Sequence, residues 1–168
     1  MIYRQPLPEA AVDQGDIIDG CPLFGIAEFD SVKPESVTAE QSAARVVVLT
    51  QTCDLANQKV SHAIVSVVLD AESLVTSGGV KAADVRGPIR AGRVLGWYFL
   101  PKSDELGLRE MIVDFRQLHT VRLDLLTALC QSGKRVARVE SLYREHLNKH
   151  FADSYSRIGL PEPYETES

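Results

Sequence analysis

Arg45-Val-Val-Val-Leu-Thr-Gln-Thr-Cys-Asp-Leu55 sets four consecutive apolar residues, three of them β-branched, directly before a polar turn. Val46 to Leu49 predicts a strand buried on both faces, because neither side of it offers a polar alternation. Thr50 to Asp54 then predicts a turn held out by the end of that strand, a common way for a rigid sheet to present a site.

Working outward, His62 to Leu69 is a second apolar run reached through Asn57-Gln-Lys59, and the two read as an antiparallel pair. Upstream, Gln14 to Gly20 reads as a turn entering a strand, which Cys21 to Phe29 continues past a bulge at Pro22. Asp30 to Ser42 is polar and reads as a surface loop. Downstream, a short helix is expected around Val80 to Val85, and strands are expected over Val94 to Leu100, Glu110 to Val121 and Lys134 to Val139. Asp124 is expected to cap a helix of Leu125, Leu126 and Leu129 that ends near Gly133.

The last helix starts at Ser141 as N-cap, carries Tyr143, Leu147, Phe151 and Tyr155 at every fourth position, and stops at Gly159-Leu-Pro161. The reading is a mainly β fold with helices (α+β). It has an extended arm over 1–13, a strand-rich body over 14–140, a C-terminal helix over 141–159 packed on it, and an acidic tail over 160–168.

The 168 residues fit one domain, and 45% hydrophobic content supports a core. No run approaches the roughly 20 apolar residues of a membrane span, and the start of the chain lacks a signal peptide's hydrophobic region, so a cytoplasmic protein without membrane association is expected. Three cysteines without CxxC spacing suggest free thiols rather than disulfides or zinc. A net charge of −5 argues against a protein coated in basic surface, while leaving room for a local basic groove.

The order of the pieces resembles the MazF/PemK-like toxins, small SH3-like β-barrels with a short internal helix and a C-terminal helix. Gly15-Asp-Ile17, Arg45-Val-Val-Val-Leu-Thr50, Val113 to Val121 and Lys134 to Leu142 carry the resemblance, in order, over most of residues 14–155. Cys53-Asp-Leu55 and Arg157-Ile-Gly-Leu-Pro161 also resemble a group of uncharacterised bacterial proteins with a Cys-Asp-Leu or Cys-Asp-Ile signature. The toxin resemblance implies metal-independent cleavage of single-stranded RNA in a toxin or phage-defence setting, with Arg45 stabilising a phosphorane-like transition state. The matching hydroxyl at the end of the next strand is absent, unless Ser66 or Ser73 serves.

The candidate catalytic residues are therefore Arg45, Thr50, Thr52, Cys53 and Asp54, with Cys53 a nucleophile only if a base or a positive field activates it. The alternative is a small buried cysteine beside an Asp that caps its own turn. Arg86, Arg90 and Arg93, followed by Trp97, Tyr98 and Phe99, are the candidate nucleic-acid-binding set, although alternation must send some of those aromatics into the core. Asp16, Asp54, His62 and Cys53 follow no metal-ligand spacing, so no metal or other cofactor is expected. Asp114, Arg116 and His119 read as an outward strand face with a cross-strand ion pair. The expected partners are single-stranded RNA or a protein, with a homodimer open. The competing functions are a non-catalytic protein-interaction module and a thiol-dependent enzyme using Cys53.

Overall fold

The computed structural model describes residues 1–57 and 59–156, so the tail over 160–168, the Gly159-Leu-Pro161 stop and the Arg157 to Pro161 signature lie outside the described residues. One antiparallel sheet of seven strands organises the chain. The strands are β1 (Tyr3–Arg4), β2 (Asp16–Phe29), β3 (Val37–Val48), β4 (His62–Asp70), β5 (Trp97–Leu100), β6 (Met111–Arg122) and β7 (Arg135–Val139), in spatial order β1-β7-β2-β3-β4-β6-β5. Helices α1 (Thr52–Ala56), α2 (Ala71–Thr76), α3 (Ala82–Asp84), α4 (Leu123–Gln131) and α5 (Ser141–Tyr155) fill the connections, and a π-turn over Val85–Ile89 follows α3. No helix among the described residues is long and apolar enough to cross a membrane.

The run that opened the sequence reading is the centre of the sheet. Val46, Val47 and Val48 are fully buried, and alternation sends Val47 to one face while Val46 and Val48 go to the other. On the first face Val47 meets Ile17, Val68, Val113 and Phe115, covered by Leu147 and Phe151 of α5. On the second, Val46 and Val48 meet Ile18, Val65 and Val67, covered by Leu126 and Cys130 of α4 and Leu55 of α1. The sheet does not close through a ladder, but its edges approach. Tyr3 on β1 and Tyr98 on β5 share the first cluster, and the Tyr3 hydroxyl donates to Pro101 O at 2.7 Å.

Residues 1–13 are tied down at several points. Besides the β1–β7 pairing, Arg135 donates to the carbonyls of Leu7, Ala10 and Ala11, and with Arg138 it clamps the buried Asp16 carboxylate at 2.5–3.0 Å. Asp16 has no solvent exposure, so its two arginine partners are what make burying the charge tolerable. Gly15 makes the close approach possible. With φ +84° it donates to Val48 O and accepts from Val139 N, and a Cβ there would stand 3.3 Å from Val139.

Several sequence expectations are corrected. The second half of the Asp30 to Ser42 "loop" is strand, because Val37 to Ala44 pairs with Cys21 to Phe29 around a bulge at Ala27. The β2 bulge falls at Asp19–Gly20, between Ile18 and Cys21, rather than at Pro22. Asp124 sits inside the first turn of α4 and accepts from Leu125 N instead of capping it; the cap residue is Arg122. Likewise Ser141 is the first residue of α5, with Glu140 at the cap position. The buried face of α5 is Leu147, His150 and Ser154 with Phe151 partly covered, while Tyr143 and Tyr155 are exposed.

Asp114 and Arg116 do not bridge strands. β6 carries three extra residues opposite the Ser66–Val67 step, and Asp114, nearly fully buried, holds this bulge by accepting from the Arg116 backbone and side chain and from Gln117 Nε2. Burial pushes the Asp114 carboxyl up, but those hydrogen bonds outweigh it and hold the group below the ordinary carboxylate range.

Candidate functional site

The polar hook after β3 is built from short local bonds. Leu49 N still donates to Ile64 O, and Leu49 O accepts from the buried Gln14 side chain at 2.8 Å, which ends the strand firmly. Thr50 Oγ1 then accepts from Ile64 N at 2.7 Å, taking the place of a ladder bond. Gln51 starts α1, whose amides at Asp54 and Leu55 donate to Gln51 O, and Leu55 drops into the second core cluster. The helix is thereby pinned at one end, and Cys53 is left on its exposed side.

The Cys53 thiol faces acceptors, with Gln51 Oε1 at 3.6 Å and Asp54 Oδ1 at 3.8 Å. Lys59 lies 4.0 Å from the Asp54 carboxylate, and His62 Nδ1 is bonded to Ser61 Oγ. A carboxylate and an amide oxygen offer the thiol no positive field of the kind that activates a cysteine nucleophile. Thr52 Oγ1 is buried with no hydrogen-bond partner among the described residues. Asp16 is not part of the hook, being enclosed by Arg135 and Arg138.

Arg45 stands at the other end of the apolar run. Five residue steps of extended chain separate it from Thr50, roughly 16 Å, so Arg45 and the hook do not converge on one small substrate atom. The guanidinium forms a bidentate pair with Asp19 of the β2 bulge, and Nη1 also reaches Met111 Sδ at 3.2 Å. Bonding to Asp19 outweighs partial burial and raises the Arg45 pKa above its usual value. A phosphate arriving here would have to displace a carboxylate already seated in the fork. Of the two hydroxyls considered for the toxin role, Ser66 is buried and donates to Asp114 O, and Ser73 lies in the first turn of α2, its amide donating to Asp70.

Arg86, Arg90 and Arg93 are all exposed but do not form one track. Arg86 borders a cleft of about 650 Å³ between α2, the π-turn and the 102–110 loop, together with Asp70, Glu72, Lys102 and Arg109. Two of those cations are already paired, Arg109 with Asp70 and Glu72, and Lys102 with Asp104. Arg90 borders a smaller pocket with Phe99 and Tyr143 and lies 6.0 Å from the Phe99 ring. The aromatics behind them are occupied. Tyr98 is core, with its hydroxyl bonded to His146 Nδ1, and the Trp97 ring is covered by Arg116 at 4.5 Å.

The feature that sequence reasoning missed is the outer half of the β2–β3 hairpin. Beyond Leu23 and Ala44 neither strand has another neighbour, and the two run on as a free ribbon. Directly opposed residues share a face, so Phe24 with Gln41, Ile26 with Ala39 and Phe29 with Val37 lie together on one side. A bulge at Ala27 is what returns Phe29 to the face of Phe24 and Ile26. Those four large residues are open to solvent, with Phe24 67%, Ile26 64%, Phe29 66% and Val37 49% exposed. Glu28 and Glu40 point the other way. The available signal was Phe24-x-Ile26 followed by Phe29 opposite Val37, an alternation that only a one-residue bulge restores.

No protein-family model matches the chain, and a search of curated proteins found no significant match.

Proposed function

We propose that this protein is a non-catalytic interaction module that docks protein through the apolar face of its β2–β3 ribbon. One observation carries the reading: Phe24, Ile26, Phe29 and Val37 form a contiguous, uncharged, solvent-exposed face on a ribbon whose two strands there pair only with each other among the described residues. A two-stranded ribbon is marginal by itself in water, and exposed apolar patches on a projecting element mark interaction sites. The acidic balance of the chain fits a protein partner better than nucleic acid.

Within this reading the curled sheet is an SH3-like barrel of MazF/PemK type, left open at β1 and β5. The approach of the two edges through Tyr3 and Pro101 supports it. The ribonuclease alternative rests on Arg45, which keeps nearly a third of its side-chain surface accessible despite its pairing. One experiment separates the two readings. A photo-crosslinking residue at position 24 or 29, compared with one at the still more exposed Leu142, should give protein adducts in the host cell only from the ribbon. Cleavage of an RNA pool that is lost in Arg45→Ala, with no ribbon adducts, would instead support the toxin reading.

A further inference from the structure

We propose that the occupant of the ribbon's apolar face is a second copy of the same ribbon, packed face to face about a twofold axis. This rests on the docking reading above and makes it specific. An isologous interface brings a patch against itself, so the patch must carry nothing that repels its own image. The face formed by Pro22, Phe24, Ile26, Phe29, Val37, Ala39, Gln41 and Ala43 meets that condition, because it contains no charged residue along its whole length. The ribbon's four acidic residues and single lysine lie on the opposite face or at the tip.

Area gives the second argument. An aromatic side chain offers about 150–250 Å² when fully buried, so the two phenylalanines, each two-thirds exposed, together offer at least about 200 Å². With Ile26, Val37 and the flanking small residues, one face presents roughly 400–500 Å². Two such faces bury on the order of 900 Å², below the about 1,200 Å² of standard specific interfaces and in the range of weak, reversible association. The charge pattern gives the third. Glu28, Asp30, Glu35 and Glu40 against Lys33 make the ribbon acidic, so neither a phosphate backbone nor an anionic lipid surface is a suitable occupant. In the face-to-face pairing those charges stay outside, where salt screens them within about 8–10 Å.

Sedimentation velocity of the full chain between about 1 and 100 μM tests this, and the expected result is a concentration-dependent doubling of mass. Raising salt from 50 to 500 mM should tighten the dimer, whereas pairing with a basic partner would weaken. Phe24→Asp with Phe29→Asp should weaken self-association at least a hundredfold with an unchanged far-ultraviolet circular dichroism spectrum. Glu28→Gln with Glu40→Gln, on the other face, should leave it intact or tighter. In a Cys53→Ser background, Ile26→Cys should form an interprotomer disulfide on mild oxidation. A wild-type protein that is monomeric at 100 μM, or a dimer indifferent to Phe24→Asp with Phe29→Asp, overturns the proposal. If that monomer still gives ribbon adducts to another protein in the crosslinking experiment, self-pairing alone has failed. If no adducts form either, the docking reading fails with it.

Discussion

The root and the tip of the β2–β3 hairpin are made from the same two strands and obey opposite rules. At the root, Ile17 faces Val47 and Ile18 faces Val46, all four fully buried between flanking strands and under helices. The flanking strands stop at Ile18 and Val46, and beyond Leu23 the residues Phe24, Ile26 and Phe29 stand in solvent although they are no less apolar. What differs is coverage rather than composition. The root owes its stability to neighbours on both edges and both faces, and the tip has only its own partner strand, which is why an occupant must be sought for it.

The most damaging way to break the root is through its polar anchor. Asp16→Asn leaves Arg135 buried without its counter-charge and Arg138 with Asp13 alone, and losing one partner of a buried ion pair costs about 3–5 kcal/mol. The same change turns one of the two acceptor oxygens that hold Arg135 and Arg138 into a donor, which disturbs the alignment of Arg135 with the Leu7, Ala10 and Ala11 carbonyls, so residues 1–13 should lose hydrogen-exchange protection together with the root. Urea unfolding and exchange at β7 amides measure both. A loss below about 1 kcal/mol would mean that the arm and the root are held by packing alone.

Cysteine reactivity sharpens the contrast without any substitution. Cys21 at the root and Cys130 under it are buried, and burial pushes both thiols up to about 11. Cys53 in the hook is exposed. Alkylation of the native protein at pH 7.5 should therefore stop at one label per chain, with Cys21 and Cys130 modified on the order of a thousandfold more slowly, through opening of the fold. Three labels appearing together in the mass spectrum would show that the root opens freely.

Asp114 sets a smaller and pH-dependent effect on the strand pair next to the root. Its folded pKa lies below the unfolded value of about 3.9, so the folded protein binds fewer protons there. The resulting stabilisation is complete above about pH 4 and is lost as pH falls through the lowered folded value. Asp114→Asn should cost about 1–3 kcal/mol at pH 7, since hydrogen bonds to the charged carboxylate are lost. The difference between variant and wild type should shrink towards pH 2. Urea midpoints at pH 7, 4 and 2.5 check the trend, and a constant difference across that range would contradict it.

The contrast between root and tip also marks what could be read from the chain. Val46 to Leu49 and His62 to Leu69 announce themselves because buried central strands carry apolar runs, Glu110 to Val121 follows from partial alternation, and α4 follows from Leu125, Leu126 and Leu129 before Gly133. The α+β class was legible on that basis. The ribbon was not, because Val37 to Ala44 is polar on one side and its bulged partner strand breaks the period of two. Within the hook, Thr50 to Asp54 was correctly placed at a strand end. That Arg45 is engaged by Asp19 depends on a bulge and a register that no local pattern encodes.

Excising the tip gives the smallest expected effect on the folded body and the most direct comparison with the root. Leu23 and Ser42 are register partners, so replacing residues 24–41 by Asn-Gly lets a two-residue turn close the hairpin just past its last buried residue, Leu23. Leu23 stays in the second core cluster, and the Asp19–Arg45 pair and the Gly15 approach are untouched. An unsupported two-stranded ribbon contributes close to nothing, so the melting free energy measured below 1 μM protein should change by less than about 1 kcal/mol. Self-association should disappear at every concentration tested. A loss above about 2 kcal/mol at low concentration would make the tip a structural support for the root. Retained self-association would place the interface elsewhere on the body.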